Sequence, residues 1–245
     1  MLSILCLKWG NKYGPEYVNR LYNQCKEFIN LDFKFYCATD NSNKINPKIK
    51  ILDLNDYAIP VGKYGGQRQG KVFTAEKIKM IADERFYGTK VLLLDLDLLI
   101  LKNLTNYLKD YNPKKIAWCD AWWYPEKNYR QNYGRISCRL NASFLYTFPE
   151  NASELKKQLF GKFYDYYCLK FYCLDRAIDY NFRDHIEIHN DKKLIFNYNM
   201  KKTVKKPNYK ICVFNNSHGV GLDLHEVEGW AKDYWLNYDW FKFII

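Results

Sequence analysis

Residues Lys90 to Ile100 read KVLLLDLDLLI, an apolar run that delivers two carboxylates, Asp95 and Asp97, one residue apart. Carboxylates at the end of a buried strand are costly unless a positive charge neutralises them. A hard divalent cation such as Mn²⁺ or Mg²⁺ does so, and takes phosphate oxygens at the same time. In an open α/β sheet, ligands collect at the carboxyl ends of strands, where this pair falls. Spacing alone is weak evidence, because seventeen Asp in 245 residues give about one such pair by chance. The apolar strand ahead of the pair lifts it above that background. The competing reading is a turn whose carboxylates cap the next element.

Other polar residues sit where apolar neighbours make them conspicuous. Asp120 lies between Cys119 and Ala121, Asn141 opens the run LNASF, and Asp175 falls in a helical pattern. His218 stands between Ser217 and Gly219, a tight-turn composition that suits a metal ligand or a loop cap. Lys71 suits a phosphate contact as well as an exposed lysine. The stretch Gly62 to Gly70 reads as a flap over a ligand or a plain surface loop. It is no phosphate loop, because the pattern G-x-x-x-x-G-K-[ST] is absent. Trp118, Trp122, Trp123 and Tyr124 offer flat half-polar walls of the kind that stack on sugars, or they fill a core.

The elements that must position these groups follow from periodicity. Ser3 to Leu7 reads as a buried strand. Gly14-Pro15 then opens a helix with apolar positions Val18, Leu21, Tyr22, Cys25 and Phe28. Strands are expected at Phe33 to Ala38, Ile49 to Leu52 and Lys90 to Leu94, with a helix over Val72 to Ala82 before the last. This alternation predicts a mostly parallel central sheet flanked by helices, an α/β fold in one domain. Further on, strands are expected at Ile116 to Cys119, Ala142 to Tyr146, Ile186 to Ile188 and Lys210 to Phe214. Helices are expected over Ala152 to Phe160, Tyr164 to Tyr180 and from about Glu226.

Composition narrows the classes. The 38 basic against 27 acidic residues leave +11, which favours an anionic partner: a diphosphate, an acidic glycan, a membrane surface or nucleic acid. The lysines are spread along the chain, and the run Lys201-Lys202 with Lys205-Lys206 reads as a solvated face. The 8 cysteines form no close pairs of the kind a zinc site uses, and are expected to be reduced core residues. No stretch approaches a membrane span, and Met1 to Leu7 is too short for a signal segment. The expected location is cytoplasmic, with peripheral membrane contact through the aromatic tail from Tyr234 as the alternative.

Asp95-Leu96-Asp97 resembles the DxD motif of nucleotide-sugar glycosyltransferases with the GT-A fold, and the order of later segments is similar to the glycogenin-like family 8. Ala117-Trp118-Cys119-Asp120 resembles its donor-sugar strand, and Leu140-Asn141-Ala142-Ser143-Phe144 its Asn-[Ser/Ala]-Gly segment. Asp175 matches an Asp-Gln pair, and Asn216-Ser217-His218-Gly219 resembles its late His-x-Gly segment. The opening Lys8-Trp9-Gly10-x-x-Tyr13 is more similar to small bacterial and viral glycosyltransferases.

The resemblance implies a Rossmann-like GT-A domain over residues 1–245. About 1–110 would be a nucleotide-binding half and about 111–245 an acceptor-binding half. It implies a Mn²⁺ or Mg²⁺ ion on Asp95, Asp97 and His218. The nucleotide, UDP being favoured, would be held by Leu7, Lys8, Tyr13, Thr39, Asp40, Lys71, Asp95 and Leu96. Catalytic contacts to the sugar would come from Asp120, Asn141 and Asp175, with a glycan or other hydroxyl acceptor. The chain departs from the pattern at Ser143, where the family has glycine, and at Arg176, where it has glutamine. It departs again at Val220-Gly221-Leu222, in place of Lys-Pro-Trp.

Three alternatives stay open. A viral-type enzyme acting on modified DNA bases would bind DNA with steep salt dependence. A sugar nucleotidyltransferase usually carries a glycine- and basic-rich loop after its first strand, and Lys8 to Gly14 has only two glycines and two lysines. A sugar-binding module would hold a donor without turning it over.

Overall fold

The computed structural model describes residues 1–58, 67–68, 71–72, 74–122, 138–171, 173–198, 205–214, 227 and 229–238. Strand β1 (Leu2–Lys8) is buried at every position, as an unbroken apolar run at a sheet centre requires. Helix α1 (Pro15–Phe28) follows, with proline in its first turn where no backbone N–H partner is lost. Strands β2 (Phe33–Thr39) and β3 (Lys50–Asp53) come next, then two short paired strands, β4 (Gln67–Arg68) and β5 (Lys71–Val72). Helix α2 (Glu76–Ile81) leads to β6 (Lys90–Leu94) and β7 (Leu98–Ile100). Helix α3 (Thr105–Asp110), β8 (Ile116–Asp120) and β9 (Leu140–Thr147) follow, then helices α4 (Pro149–Leu159), α5 (Tyr164–Phe171) and α6 (Leu174–Asn181). The chain closes with β10 (Ile186–Ile188), β11 (Ile195–Asn197), β12 (Ile211–Val213) and α7 (Trp230–Leu236).

The main sheet has seven strands in the order β10-β8-β9-β6-β1-β2-β3. Only β9 runs against the others, pairing antiparallel with both β6 and β8. That reversal matters for chemistry, because it brings the start of β9 beside the carboxyl ends of its neighbours. Leu94 pairs with Phe144 and Asp120 with Leu140. One face of the sheet packs on α1, a three-stranded sheet β11-β12-β7 and α7. The other face packs on α2 and on α4 to α6.

Asp95-Leu96-Asp97 is the crossing between the two sheets. The chain leaves the main sheet at Leu94 and enters the small one at Leu98, which pairs with Val213. Leu96 is 4% exposed and pins the crossing in the core, so the two flanking aspartates turn to the other side. The paired carboxylates therefore follow from a strand changing sheets.

The structure corrects two expected helices. Lys71–Val72 is paired strand, and the second helix begins only at Glu76. The segment expected as one helix from Tyr164 to Tyr180 is two, because Cys173 is extended (φ −154°, ψ 153°) and serves as the N-cap of α6. Four short strands and helices have no expected counterpart: β4, β7, α3 and β11. All eight cysteines are free thiols.

Candidate active site

The site is built where β1, β6 and β8 end. Tyr13, on the turn between β1 and α1, donates its hydroxyl to Asp97 Oδ2 at 3.0 Å. Its ring is braced by Tyr17, 4.8 Å away centre to centre, which in turn packs on Trp235. Burial, together with the Asp97 and Asp95 charges, raises the Tyr13 phenol far above its usual range, so it stays a donor. Desolvation, then the neighbouring Asp95, push the Asp97 carboxyl up to about 6, against the opposing bond from Tyr13.

Asp95 is fixed from the other side. Its N–H bonds the Ser143 carbonyl at 3.0 Å, extending the β6–β9 ladder by one residue. The Lys77 ammonium lies 2.5 Å from Asp95 Oδ1 and donates to the Ala142 carbonyl at 3.3 Å. Lys77 is 7% exposed. Burial alone would lower its pKa, but Asp95, Asp175 and Asp97 outweigh that and raise it, so it stays charged. Sequence reading missed Lys77. The available signal was its position one turn before Ile81 on a helix whose Ile78, Met80 and Ile81 are all buried.

Asp175 stands in the first turn of α6, accepting a 3.3 Å bond from Trp118 Nε1. Burial, and then Asp95 and Asp179, push its carboxyl up to about 7, although Lys77 and the Trp118 bond pull the other way. Trp118 is itself fully buried, so it belongs to the core and to Asp175, and the acceptor-wall reading of it is corrected. Trp122 is exposed and stacks on Tyr209 at 5.7 Å and 17°.

Asn141 is buried, and its side-chain oxygen accepts from the Ser143 N–H at 3.0 Å. Asp120 is held in a two-point pair with Arg139, at 3.1 Å to Nε and 2.8 Å to Nη2. At the ends of the first two strands, Lys8 pairs in register with Thr39. Asp40 accepts from the Gly10 N–H at 2.9 Å, and the Thr39 hydroxyl bonds the Asn41 backbone. Leu7 and Leu96 are buried, so their side chains belong to the core.

Tyr13, Lys77, Asp95, Asp97, Asp175 and Asn141 are thus brought to one edge, with Lys8, Thr39 and Asp40 beside it. His218, Trp123, Tyr124 and the greater part of the Gly62 to Gly70 stretch lie outside the described residues, as does the Lys71 side chain. Among the described residues no cluster of three His, Cys, Asp or Glu side chains is arranged to hold a metal. The two carboxylates still suit a hard cation. They are oxygen donors set close enough that Asp95 raises Asp97, and a single lysine offsets them.

Removing that lysine has a predictable cost. Lys77→Met should destabilise the protein by about 2–4 kcal/mol at neutral pH, because three carboxylates lose their shared cation. The deficit should shrink as pH falls and Asp97 and Asp175 take up protons. Denaturant midpoints at pH 5 and pH 7.5 test this. An equal loss at both pH values would mean that Lys77 contributes packing alone.

No protein-family model and no curated protein sequence matches the chain. Solved structures do. The galactosyltransferase LgtC, in complex with donor and acceptor sugar analogs, superposes with a TM-score of 0.60 at 11% identity, over 96% of this chain and 94% of that one. The fold is that of the GT-A glycosyltransferases. Mouse xyloside xylosyltransferase 1 matches at a TM-score of 0.56 and 11% identity, over 89% of this chain and 98% of that chain. GlyE of Streptococcus pneumoniae TIGR4 matches at 0.56 and 13%, covering 96% of this GT-A chain but 59% of its own length. At these identities the likeness is one of fold, and the chemistry must be argued from this chain's residues.

Proposed function

We propose that the protein is a metal-dependent glycosyltransferase that moves a sugar from a nucleoside-diphosphate donor, UDP being favoured, to a hydroxyl acceptor. One observation carries the reading. On a GT-A fold, Asp95 and Asp97 project from a sheet crossing together with Lys77, Tyr13 and Asp175. Asp95 and Asp97 would hold Mn²⁺ or Mg²⁺, with His218 as a third ligand. The path of the chain supports that ligand, since β12 ends level with Leu98 and carries Phe214 toward the Asp97 side. Bound there, the cation supplies Lewis-acid stabilisation to the departing diphosphate.

The protein groups do the rest. Lys77 ion-pairs Asp95 and adds positive charge beside the leaving oxygens. Tyr13 fixes the rotamer of Asp97. Lys8, Thr39, Asp40, Lys71 and the backbones of Leu7 and Leu96 border the nucleotide. The Asn141 amide and Asp120, the latter oriented by Arg139, face the sugar hydroxyls. Asp175, beside Lys77 and Trp118, is placed to stabilise positive charge at the anomeric carbon or to take the acceptor's proton. Residues 1–110 would then form the nucleotide half and 111–245 the acceptor half. Among the described residues no helix is long and apolar enough to cross a membrane.

The test is thermal. A UDP-sugar with Mn²⁺ should raise the melting temperature by several degrees, and either alone much less, because binding to the folded state stabilises it by mass action. Nucleoside diphosphate release should require the cation. Metal-independent stabilisation by DNA instead would overturn the proposal.

A further inference from the structure

A second cluster of charge lies at the opposite end of the main sheet. Lys26 on α1, Lys34 at the start of β2, Lys48 in the turn before β3 and Lys50 at its start border an open cleft of about 350 Å³. Its other walls are Tyr22, Leu31, Phe33 and Phe35, with Asp32 as its one carboxylate. The register places it far from the proposed donor site. Phe33 is level with Leu2, whereas Asp95 follows Leu94, which is level with Cys6. Five residues of strand separate the two levels, about 16 Å along the sheet.

The four lysines are exposed, and among the described residues none forms an ion pair. Two of them lie over rings instead, Lys26 at 6.0 Å from Tyr22 and Lys50 at 5.7 Å from Tyr36. Four cations against one carboxylate on a concave wall create a positive potential that an anion relieves. The walls add a second requirement, because the half-buried Phe33 and Leu31 favour an apolar body next to the anionic group. Lysine is a mobile point charge with rotatable donors, suited to a phosphate's tetrahedral oxygens, whereas flat two-point carboxylate recognition favours arginine. The cleft falls within the volume range of small-molecule sites.

We infer that the cleft bounded by Lys26, Lys34, Lys48 and Lys50 is a second binding site, separate from the sugar-transfer edge, for a phosphate group attached to an apolar body. That chemistry has two sources, a soluble aryl phosphate and the headgroup of an anionic lipid. Two probes separate them: phenyl phosphate followed by NMR chemical-shift changes, and sedimentation with phosphatidylcholine vesicles with and without phosphatidylglycerol. Both are binding measurements and do not depend on whether the protein transfers sugar.

The wild-type chain should bind at least one probe, with affinity falling as salt rises. The double variant Lys34→Glu/Lys48→Glu should lose about tenfold or more in affinity, while Lys109→Glu/Lys157→Glu, which changes net charge equally elsewhere, should not. Shift changes confined to the cleft residues with phenyl phosphate would identify a soluble ligand. Sedimentation only with phosphatidylglycerol would identify a headgroup. Binding of neither probe, or equal loss in the two double variants, would overturn the site. Melting temperatures of both variants close to wild type establish that the loss is not one of folding.

Discussion

Asp97→Ala should abolish cation-dependent release of nucleoside diphosphate, lowering turnover by about 10²-fold or more, while leaving the melting temperature of the metal-free protein unchanged or higher. The two halves of this result have separate causes. Activity falls because the cation would lose one of two oxygen donors, and Asp95, already engaged by Lys77 at 2.5 Å, cannot replace it. Stability does not fall because Asp97 is a poorly solvated carboxylate held up to about 6 by burial and by Asp95. Its removal relieves that repulsion, and Tyr13 loses only one bond of 3.0 Å. Asp97→Asn sharpens the comparison, since it keeps an acceptor for Tyr13 but no charge for a cation. If the asparagine variant kept full Mn²⁺-dependent turnover, Asp97 would be a tether for Tyr13 and no ligand.

The sequence made the front half of the fold legible, because β1 and β6 are near-continuous apolar runs, β2 buries its second half, and one helical repeat lies between the first two strands. The strand Lys90–Leu94 matches its expected bounds. Less legible was everything set by tertiary context. Strand β7 is three apolar residues after Asp97, too short to distinguish from a turn until β12 pairs with it. The antiparallel pairing of β9 with β6 and β8 is not written in its own apolar pattern, so a mostly parallel sheet was as far as the pattern could go.

The carboxylates of the candidate site were visible because acidic residues in apolar runs are conspicuous. Lys77 was not, since a lysine in a helical Glu-Lys-Ile-Lys pattern looks like a solvated face, and only the packing of α2 under β9 buries it. Trp118 stayed undecided between wall and core for a related reason. Aromatic residues read alike on a wall and in a core, and the alternation of β8 alone did not say which face Trp118 takes.

Asp175 supports the other large effect, and its sign can be worked out. An aspartate in the unfolded chain titrates near 3.9, whereas burial holds the folded Asp175 near about 7. Below both values each state is protonated and the group contributes nothing. As pH rises between them, the unfolded chain releases its proton and the folded one keeps it, so stability falls with pH through that window. Above the folded value the penalty is complete.

Asp175→Asn removes the penalty and keeps an oxygen for Trp118 Nε1, so it should stabilise the metal-free protein on the order of 2 kcal/mol at pH 8 and much less at pH 5. The same variant should lose about 10²- to 10³-fold in sugar transfer, because an amide can neither take the acceptor's proton nor stabilise a cationic sugar as a carboxylate does. For the wild type, kcat/KM should climb through the same pH window, since only the ionised form does either task. Urea midpoints of the two proteins at both pH values decide the matter. An asparagine variant less stable at pH 8 would mean that Lys77 ion-pairs Asp175 strongly enough to reverse the balance, and Asp175 would then be a structural carboxylate.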